Sequence, residues 1–359
     1  MKMPENVIRE EIVKCGTISF ARFMELALYC PETGYYEANK DTVGRAGDFI
    51  TSVSVGSLFG ELLAFQFAQW LEALPGSDGG WRLIEAGAHD GKLAQDILNW
   101  FQTHAPRRLE QMEYVLVEPS ATRQEWQRER LRAFAPRVRW CGQIEDASLA
   151  SSRGLIFSNE LLDAFPVHRF GWDAANKKWF EWGVTQAWDV FGWERIPPTA
   201  SVQGLCPPEL AAVLPDNYTL ETCPAAEAWW RAAAGQLAQG RLLALDYGLA
   251  GDERFSPARP QGTLRAYRQH RLSGDLLANP GEQDLTAHVN FSAVQAAGEA
   301  VGLRTDQFCT QPQFLTRILQ AALAKKSFAP MTAKQVRQFQ MLTHPDHLGR
   351  AFRVLVQER

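Results

Sequence analysis

A carboxylate followed by two spaced glycines is the feature of this chain whose chemistry is clearest. Glu85 is followed by Gly87 and Gly91, and such a turn leaves backbone N–H groups free to bind a ligand at the start of a helix. Turns that bind a pyrophosphate lack a carboxylate ahead of their glycines, because it would repel the phosphates. Glu85 suits a cationic amino-acid ammonium instead, so the turn predicts S-adenosylmethionine as the cofactor.

A second carboxylate lies where a ribose would be bound. The apolar run at 114–117 predicts a buried strand, and Glu118 follows it directly. An acidic residue at the end of the second strand accepts hydrogen bonds from ribose hydroxyls in sheets that bind nucleotides. Taken alone, the two-glycine turn could equally be an ordinary connection of an α/β protein. Glu118 favours an adenosine-containing cofactor.

The elements that position these groups are predicted from the apolar spacing. A buried strand begins at Trp81, and after the glycine turn apolar residues recur every four positions, at 93, 97 and 101, as on a helix. Two more apolar runs, at 155–157 and 242–245, also end in polar residues. This alternation predicts a parallel sheet, and ligands bind at the carboxyl ends of its strands. We expect these side chains to meet in one cleft: Glu85, Glu118, Asn159, Glu160 and Asp246.

Four regions are predicted along the chain. Residues 1–80 form a helical region, with one helix capped by Thr17 or Ser19 and a second helix near 59–70. The Pro- and Gly-rich stretch 75–80 separates it from the first half of the sheet core, 81–168. Residues 169–235 form an insertion and 236–359 the second half of the core.

The insertion is rich in aromatic residues and alternates in polarity. The segment 178–184 alternates apolar and polar side chains, which predicts β-hairpins inserted into the α/β core. We expect its tryptophans to pack the insertion itself rather than form a platform for a ligand. The run 351–356 predicts a last strand that closes the main sheet.

Composition excludes several classes of protein. No stretch of the 359 residues approaches the roughly 18 consecutive apolar residues of a membrane span, and the first residues lack the apolar core of a signal peptide. We therefore expect a soluble, cytoplasmic protein. The net charge of −4 gives no positive field that would attract nucleic acid. The six cysteines show no Cys-x-x-Cys spacing and are expected to be reduced thiols.

Two weaker motifs are expected to be structural. His344 and His347 lie three residues apart, but Pro345 disfavours a helix through them and no third ligand is near, so no metal is predicted. Six arginines between 123 and 139 alternate with glutamates, as on a solvated helix, so nucleic-acid binding is not expected there.

Several ordered motifs resemble the MidA-like family of class I S-adenosylmethionine-dependent methyltransferases. The resemblance extends over nearly the whole chain and is carried by these segments: Gly34-Tyr35-Tyr36, residues 47–52, Phe59-Gly60-Glu61, Asn159 to Val167, Asp246-Tyr247-Gly248, residues 262–270 and residues 279–291. It implies a Rossmann-like sheet with a helical N-terminal region and the aromatic-rich β insertion. It also implies that residues 47–52 fold over the cofactor as a lid.

The resemblance completes the list of candidate site residues. The cofactor-binding candidates are Gly47, Asp48, Thr51, Glu85, Gly87, Gly91, Glu118 and Asn159. The catalytic candidates on the acceptor side are Glu160, Asp163 and His270, with Asp284 and His288 as further polar neighbours. The best-known activity of the family is symmetric dimethylation of an arginine on a complex I subunit. A protein substrate with an arginine acceptor is therefore expected, because carboxylates can orient a guanidinium and offset its charge.

One departure from the family pattern leaves alternatives open. The family turn reads Glu-x-Gly-x-Gly-x-Gly, whereas this chain has His89 at the middle glycine. A side chain there either turns to solvent or alters the cofactor pocket. The alternatives are a small-molecule or RNA methyltransferase and an assembly chaperone that keeps the fold without catalysis. A nicotinamide oxidoreductase is disfavoured by Glu85.

Overall fold

The computed structural model describes residues 3–38, 51–74, 80–147, 153–268, 271–325 and 330–359. Gly47 and Asp48 of the predicted lid, residues 75–79 of the predicted boundary and the candidate His270 lie outside these ranges. Within the described ranges the chain forms a central α/β sheet and two smaller antiparallel sheets.

The strands and helices are numbered in chain order. The strands are β1 Ile18–Ser19, β2 Trp81–Ala86, β3 Met112–Val117, β4 Val138–Cys141, β5 Arg153–Asn159, β6 His168–Asp173, β7 Lys178–Ala187, β8 Val190–Ile196, β9 Thr219–Thr222, β10 Gln239–Leu249, β11 Arg265–Arg268, β12 Arg271–Ser273, β13 Asp284–Thr286, β14 Val289–Asn290, β15 Arg304–Thr310 and β16 Phe352–Glu358. The α-helices are α1 Pro4–Cys15, α2 Phe20–Tyr29, α3 Tyr35–Ala38, α4 Leu58–Ala73, α5 Lys92–His104, α6 Pro106–Glu110, α7 Ala121–Arg130, α8 Pro208–Ala211, α9 Pro224–Gln236, α10 Phe291–Glu299, α11 Gln311–Ala324 and α12 Ala333–Thr343.

The central sheet has the order β15-β16-β10-β5-β2-β3-β4, and β14 adds to the end of β10. The pairs from β10 to β4 are parallel, whereas β16 runs antiparallel to both of its neighbours. The chain leaves β2 towards β3 and β4 and then returns to β5 on the other side of β2. This reversal opens a crevice at the carboxyl ends of β2 and β5, where ligands bind in open α/β sheets.

Helices cover both faces of the central sheet because its strands are apolar on both sides. Leu83 of β2 belongs to the cluster packed by α4, α5 and α11, and the next residue, Ile84, belongs to the opposite cluster packed by α9 and α10. The predicted helix near 59–70 is confirmed as α4, which is buried around most of its circumference. The predicted insertion 169–235 includes most of helix α9. Trp230 of α9 is fully buried against the central sheet, so α9 belongs to the core.

The aromatic segment forms an antiparallel sheet of its own. Strands β9, β6, β7 and β8 pair in sequence, so the predicted hairpins are confirmed. The tryptophans of this sheet pack on each other, with the ring centroids of Trp172 and Trp179 5.0 Å apart. This contact is consistent with packing inside the insertion rather than with a ligand platform.

The N-terminal helices pack on this second sheet. Ser19 accepts a hydrogen bond from the Arg22 N–H at 3.2 Å and caps α2, as predicted. The short strand β1 pairs antiparallel with β7, and Ile18 lies opposite Val184. The N-terminal region and the insertion therefore share one hydrophobic cluster, which the sequence analysis did not predict.

The predicted last strand is present as β16, but it does not close the sheet at its edge. It lies between β10 and β15, and β15 forms the edge. Strand β15 was missed because only one of its seven residues, Phe308, is a large apolar residue. Among the described helices, none has the length and apolar character that a membrane span requires.

Close packing of β5 gives a test of the sheet geometry. A Cβ atom at Gly154 would lie 2.0 Å from the backbone oxygen of Arg82 on the neighbouring strand. We expect Gly154→Ala to lower the free energy of unfolding by about 1–3 kcal/mol, the usual range for overpacking a core. Urea denaturation measures this change. Gly192→Ala is the control, because a Cβ there meets no atom within 4 Å. An equal effect of both substitutions would contradict the described approach of β5 to β2.

Candidate functional site

A cavity of about 650 Å³ opens at the carboxyl ends of β2, β3 and β5. Six of the sequence-predicted residues line it: Thr51, Glu85, Gly87, Glu118, Asn159 and Glu160. Gly91 and Asp163 are not among its lining residues, and Gly47, Asp48 and His270 lie outside the described residues. Four of the five residues predicted to meet in one cleft therefore line this cavity, whereas the fifth, Asp246, is fully buried and is not among the lining residues.

The turn after β2 needs glycine for two reasons. Gly87 has φ of +75°, and a Cβ there would lie 2.8 Å from the Leu161 side chain. Gly91 has φ of +81° and caps α5, so it shapes the turn without facing the cavity. The backbone between them passes close to the space where a ligand would lie.

His89 occupies a left-handed conformation that explains why glycine is favoured there. Its φ is +49°, it lines the cavity, and its ring centroid lies 6.5 Å from that of Trp126. Gln127 donates to the His89 carbonyl oxygen at 2.9 Å. This bond holds the turn in a conformation that costs a residue with a side chain about 1 kcal/mol or more. The His89 side chain is 23% exposed, and its ring lies towards Trp126, which is not among the residues that line the cavity.

Glu85 is buried at the end of β2 beside Tyr114. The Tyr114 hydroxyl donates to Glu85 Oε2, and the side chain is 3% exposed. Burial raises the pKa of the Glu85 carboxyl to about 8, because an ionised carboxylate loses hydration there. A cationic group next to Glu85 would favour its ionised form.

Glu118 is held in place by hydrogen bonds to both of its carboxylate oxygens. The Ser120 N–H donates to Oε1 at 3.0 Å and Gln127 Nε2 donates to Oε2 at 3.1 Å. Burial raises the pKa of this carboxyl above its ordinary value. Gln127 therefore connects the glycine turn to Glu118, a link that the sequence analysis missed.

The N-terminal region supplies a wall of the cavity that was not predicted residue by residue. Tyr36 and Glu37 of α3 line the cavity. The Ser120 hydroxyl donates to Glu37 at 2.7 Å, and Arg123 Nε donates to the Tyr36 carbonyl oxygen at 2.9 Å. The Arg123 guanidinium also lies 4.9 Å from the centre of the Tyr36 ring. Arg123, from the arginine-rich segment 123–139, thus connects α3 to the part of the chain that follows β3.

The residues that follow β4 also line the cavity and were missed: Gly142, Gln143, Ile144 and Glu145. Strand β4 was not recognised because it is short and contains Arg139. Apolar side chains from three segments line the cavity as well: Ile144, Phe165 after β5, and Trp229 of α9. Apolar side chains of this kind are suited to a flat base.

Glu160 lines the cavity at the end of β5 in a strained backbone conformation. Its φ is +51°, and its carboxylate Oε1 accepts from the Ser52 N–H at 3.2 Å and from Asn159 Nδ2 at 3.1 Å. Within the described residues, the buried atoms Glu160 Oε2 and Asn159 Oδ1 have no hydrogen-bond partner. Burial raises the pKa of Glu160 to about 8. Buried polar atoms without partners mark a place for a ligand.

Asp246 holds the loop that carries Glu160. Its Oδ2 accepts from the N–H groups of Leu161 at 3.1 Å and Leu162 at 2.8 Å, and its Oδ1 accepts from its neighbour Tyr247 at 2.8 Å. Asp246 is fully buried, and burial raises its pKa to about 7. It is a positioning residue that binds backbone.

Asp163 lies behind Glu160 rather than in the cavity wall. It is 6% exposed, and burial together with the charges of Asp246 and Asp284 raises its pKa well above its ordinary value. Tyr36 donates its hydroxyl to Asp284 Oδ1 at 2.7 Å. The candidates Asp163 and Asp284 therefore place two further carboxyl groups near Glu160 without lining the cavity.

Comparisons with known proteins agree on one enzyme family. A family model of S-adenosyl-L-methionine-dependent methyltransferases matches residues 62–309. A crystal structure from Burkholderia thailandensis with S-adenosyl-homocysteine bound superposes with a TM-score of 0.85 at 33% identity, covering 99% of this chain and 92% of that chain. The predicted Rossmann-like methyltransferase fold and its cofactor, S-adenosylmethionine, are confirmed.

Curated relatives agree with this family. The Drosophila melanogaster protein arginine methyltransferase NDUFAF7 homolog, mitochondrial, is 29% identical over 97% of this chain and 83% of its own length. The Homo sapiens protein arginine methyltransferase NDUFAF7, mitochondrial, is 27% identical over 95% of this chain and 80% of its own length. The prediction of a cytoplasmic location is wrong by this comparison, because both relatives are named mitochondrial.

The residues of the cleft fit S-adenosylmethionine. Leu161 leaves no room for a side chain at Gly87, so no side chain covers the turn backbone there. The buried atoms Asn159 Oδ1 and Glu160 Oε2 have no hydrogen-bond partner among the described residues. Glu85 offers a carboxylate to an ammonium, and Glu118 offers both oxygens to hydroxyl donors. The carboxylate and amide oxygens accept hydrogen bonds, as the ammonium and hydroxyl groups of the cofactor require, and the turn backbone offers N–H donors.

Removing the Glu118 carboxylate tests the predicted ribose contact. We expect Glu118→Ala to weaken S-adenosylmethionine binding by about 1–3 kcal/mol, the scale of hydrogen bonds to a charged group. Isothermal titration of the folded protein measures the affinity. Glu125→Ala is the matched control, because Glu125 is exposed on α7. Unchanged affinity in the Glu118 variant would contradict the assignment.

The raised pKa of Glu160 predicts a pH dependence of stability. The folded state keeps a proton up to about pH 8, whereas an unfolded glutamate releases it near 4.5. The stability that this proton contributes is thus present below pH 4.5 and is lost as the pH rises towards 8. In urea titrations without cofactor, Glu160→Gln should show a smaller fall in the free energy of unfolding between about pH 5 and about pH 8 than the wild type.

The exposed Glu209 provides the control for this pH experiment. Glu209→Gln should keep the full wild-type fall in stability between the two pH values. An equal fall in the Glu160 variant would show that the carboxyl of Glu160 is not protonated in the folded protein.

Proposed function

The chain belongs to the family of S-adenosyl-L-methionine-dependent methyltransferases, and we propose that it methylates the guanidinium of an arginine in a protein substrate. The observation that carries this proposal is Glu160 at the cavity wall, with one carboxylate oxygen lacking a hydrogen-bond partner among the described residues. The names of the relatives support it, because they are protein arginine methyltransferases.

The electrostatics around Glu160 favour a cationic acceptor. Three buried aspartates lie close enough for their charges to act on one another or on Glu160: Asp163, Asp246 and Asp284. Burial raises the pKa of Glu160, Asp163 and Asp246, and the charges of neighbouring carboxyl groups raise it further. A guanidinium stays protonated in water and offers several N–H donors, so it would favour the ionised form of Glu160 and satisfy Glu160 Oε2.

We place the cofactor across the carboxyl ends of β2 and β3. Its methionine part would lie near Glu85 and Gly87, its ribose on Glu118, and its base beside Phe165 and Trp229. Thr51 lines the same cavity and the neighbouring Ser52 donates to Glu160, so the described end of the predicted lid reaches the acceptor side. Gly91 would act through the turn alone.

The residues on the acceptor side act mainly by positioning. S-adenosylmethionine supplies a methyl group on a sulfonium, which is transferred in line to a lone pair. Glu160 would hold the guanidinium so that one nitrogen points to the cofactor, and it would offset the positive charge that arrives with the methyl group. The proton that this nitrogen loses would pass to the same carboxylate. Asp246 fixes the position of Glu160 by holding the backbone that follows it.

Replacing one oxygen of Glu160 tests this role. We expect Glu160→Gln to leave cofactor affinity largely unchanged but to lower turnover by at least about tenfold, or roughly 1.4 kcal/mol of transition-state stabilisation. Titration with S-adenosylmethionine and transfer of a labelled methyl group measure the two quantities. Glu209→Gln serves as the control. Equal turnover in wild type and the Glu160 variant would remove Glu160 from the mechanism.

The acceptor itself is tested with labelled S-adenosylmethionine in a lysate of a strain that lacks the protein. Mass spectrometry of the labelled products should find methylated arginine in a protein. Label found only in RNA or in small molecules would overturn the arginine proposal. Cofactor binding without any transfer of label would favour an assembly chaperone that keeps the fold.

A further inference from the structure

A group of basic side chains lies beside the acceptor end of the cleft. Arg259 follows β10, Arg265 begins β11, Arg353 lies in β16, and the charges of all three act on the imidazole of His288. All four side chains are partly exposed. We call these four residues, Arg259, Arg265, His288 and Arg353, the arginine rim.

The backbone connects the arginine rim directly to the acceptor carboxylates. Arg353 lies opposite Asp246 in the register of β16 and β10. His288 follows Ala287, whose N–H donates to the Asp163 carbonyl oxygen at 3.0 Å. Backbone contacts therefore bring the rim next to the buried residues Asp163 and Asp246, which lie close to Glu160.

Two tyrosines lie between the carboxylates and the rim. Tyr247 is close enough to Glu160, Asp163 and Tyr267 for their charges to act on it. Tyr267 and Arg265 are two residues apart on β11, so their side chains leave the same face of the strand. A chain seated on Glu160 would pass these aromatic rings and then reach the rim.

The positive charge of the rim is only partly balanced by the protein. Among the described residues, the Glu253 carboxylate contacts Arg353 at 3.2 and 3.4 Å, and Arg265 donates to a backbone oxygen, that of Leu264, at 2.8 Å. The buried atoms Arg259 Nε and His288 Nδ1 have no hydrogen-bond partner in the described part of the chain. In the described part of the chain, Arg353 pairs with Glu253, whereas Arg259 and Arg265 form no ion pair with a carboxylate.

We propose that the arginine rim binds an acidic side chain of the protein substrate, close along the chain to the arginine that is methylated. The inference rests on the proposed function and adds a recognition element to it. A carboxylate fits because guanidinium groups bind it through paired, charge-assisted hydrogen bonds. The cleft and the rim then select a substrate by two opposite charges: a cation on Glu160 and an anion on the arginines.

Labelled peptides test this recognition on the full-length protein loaded with S-adenosylhomocysteine. Each short Gly- and Ser-rich peptide carries one central arginine, and a single Glu or Gln is placed at each other position in turn. Fluorescence anisotropy measures binding. At one or two positions, the Glu peptide should bind at least about fivefold more tightly than its Gln partner, the scale of one hydrogen bond to a charged group.

Substitutions in strand β11 test whether the arginine rim causes the preference for Glu peptides. Arg265→Gln should reduce the Glu preference to less than about twofold. Arg268→Gln should preserve it, because Arg268 leaves the other face of the same strand and is paired with Glu282 at 2.5 Å. Titration with S-adenosylmethionine shows that both variants are folded, since neither residue lines the cofactor cavity.

The outcomes separate this inference from the proposed function. Peptides that bind through arginine with no Glu preference, or with a preference that Arg265→Gln leaves intact, would overturn the inference alone. A peptide series that gains affinity only from phosphoserine would also overturn it. If replacing the central arginine by Gln leaves binding unchanged, or if no peptide binds, the arginine acceptor and the rim assignment both fail.

Discussion

The hydrogen bonds of Asp246 are the interaction on which the active cleft depends. Its two carboxylate oxygens bind three backbone N–H groups, two of which directly follow Glu160. Glu160 has a left-handed backbone that is unfavourable for a residue with a side chain, and it persists because the surrounding bonds fix it. Without Asp246, the loop after β5 would relax and turn the Glu160 carboxylate away from the cofactor. The strongest constraint in the site is thus a carboxylate that faces no ligand.

The burial of acidic side chains carries an electrostatic cost in the cleft. Glu85 and Glu160 line the cavity at the ends of the neighbouring strands β2 and β5, and burial raises the pKa of each to about 8. Both are thus closer to neutral than ordinary glutamates until a cation approaches them. A cofactor with a cationic ammonium and an acceptor with a guanidinium would each bind a carboxyl that is ready to ionise. The energy lost by burying these groups in the free protein is partly regained on binding.

Local patterns predicted the centre of the fold and much of the cleft, whereas long-range contacts were not predictable. Glu85, Gly87 and Glu118 were recognised because a strand, a turn and a polar residue occur together in a short stretch. The walls formed by Tyr36 and Trp229 were missed because they depend on which distant segments pack together. Edge strand β15 was not predicted because its mixed polarity gives no clear strand pattern. The position of β16 in the sheet was not predicted because a single sequence does not show which strands pair. Asp163 was predicted to lie in the cleft because it follows Glu160 closely in sequence. In the structure, however, Asp163 is buried in the interior.

The walls of the cleft join parts of the chain that are far apart, and this has a consequence for how the protein is made. Tyr36 bonds to Asp284 across 248 positions and Ser52 bonds to Gln311 across 259 positions. A bond of such sequence separation requires both of its partners to have been synthesised, and closing the long intervening chain costs conformational entropy. During synthesis, Ser52 can therefore bind Glu160 before it can bind Gln311 of α11. The walls of the cleft are thus complete only when most of the 359 residues have been made.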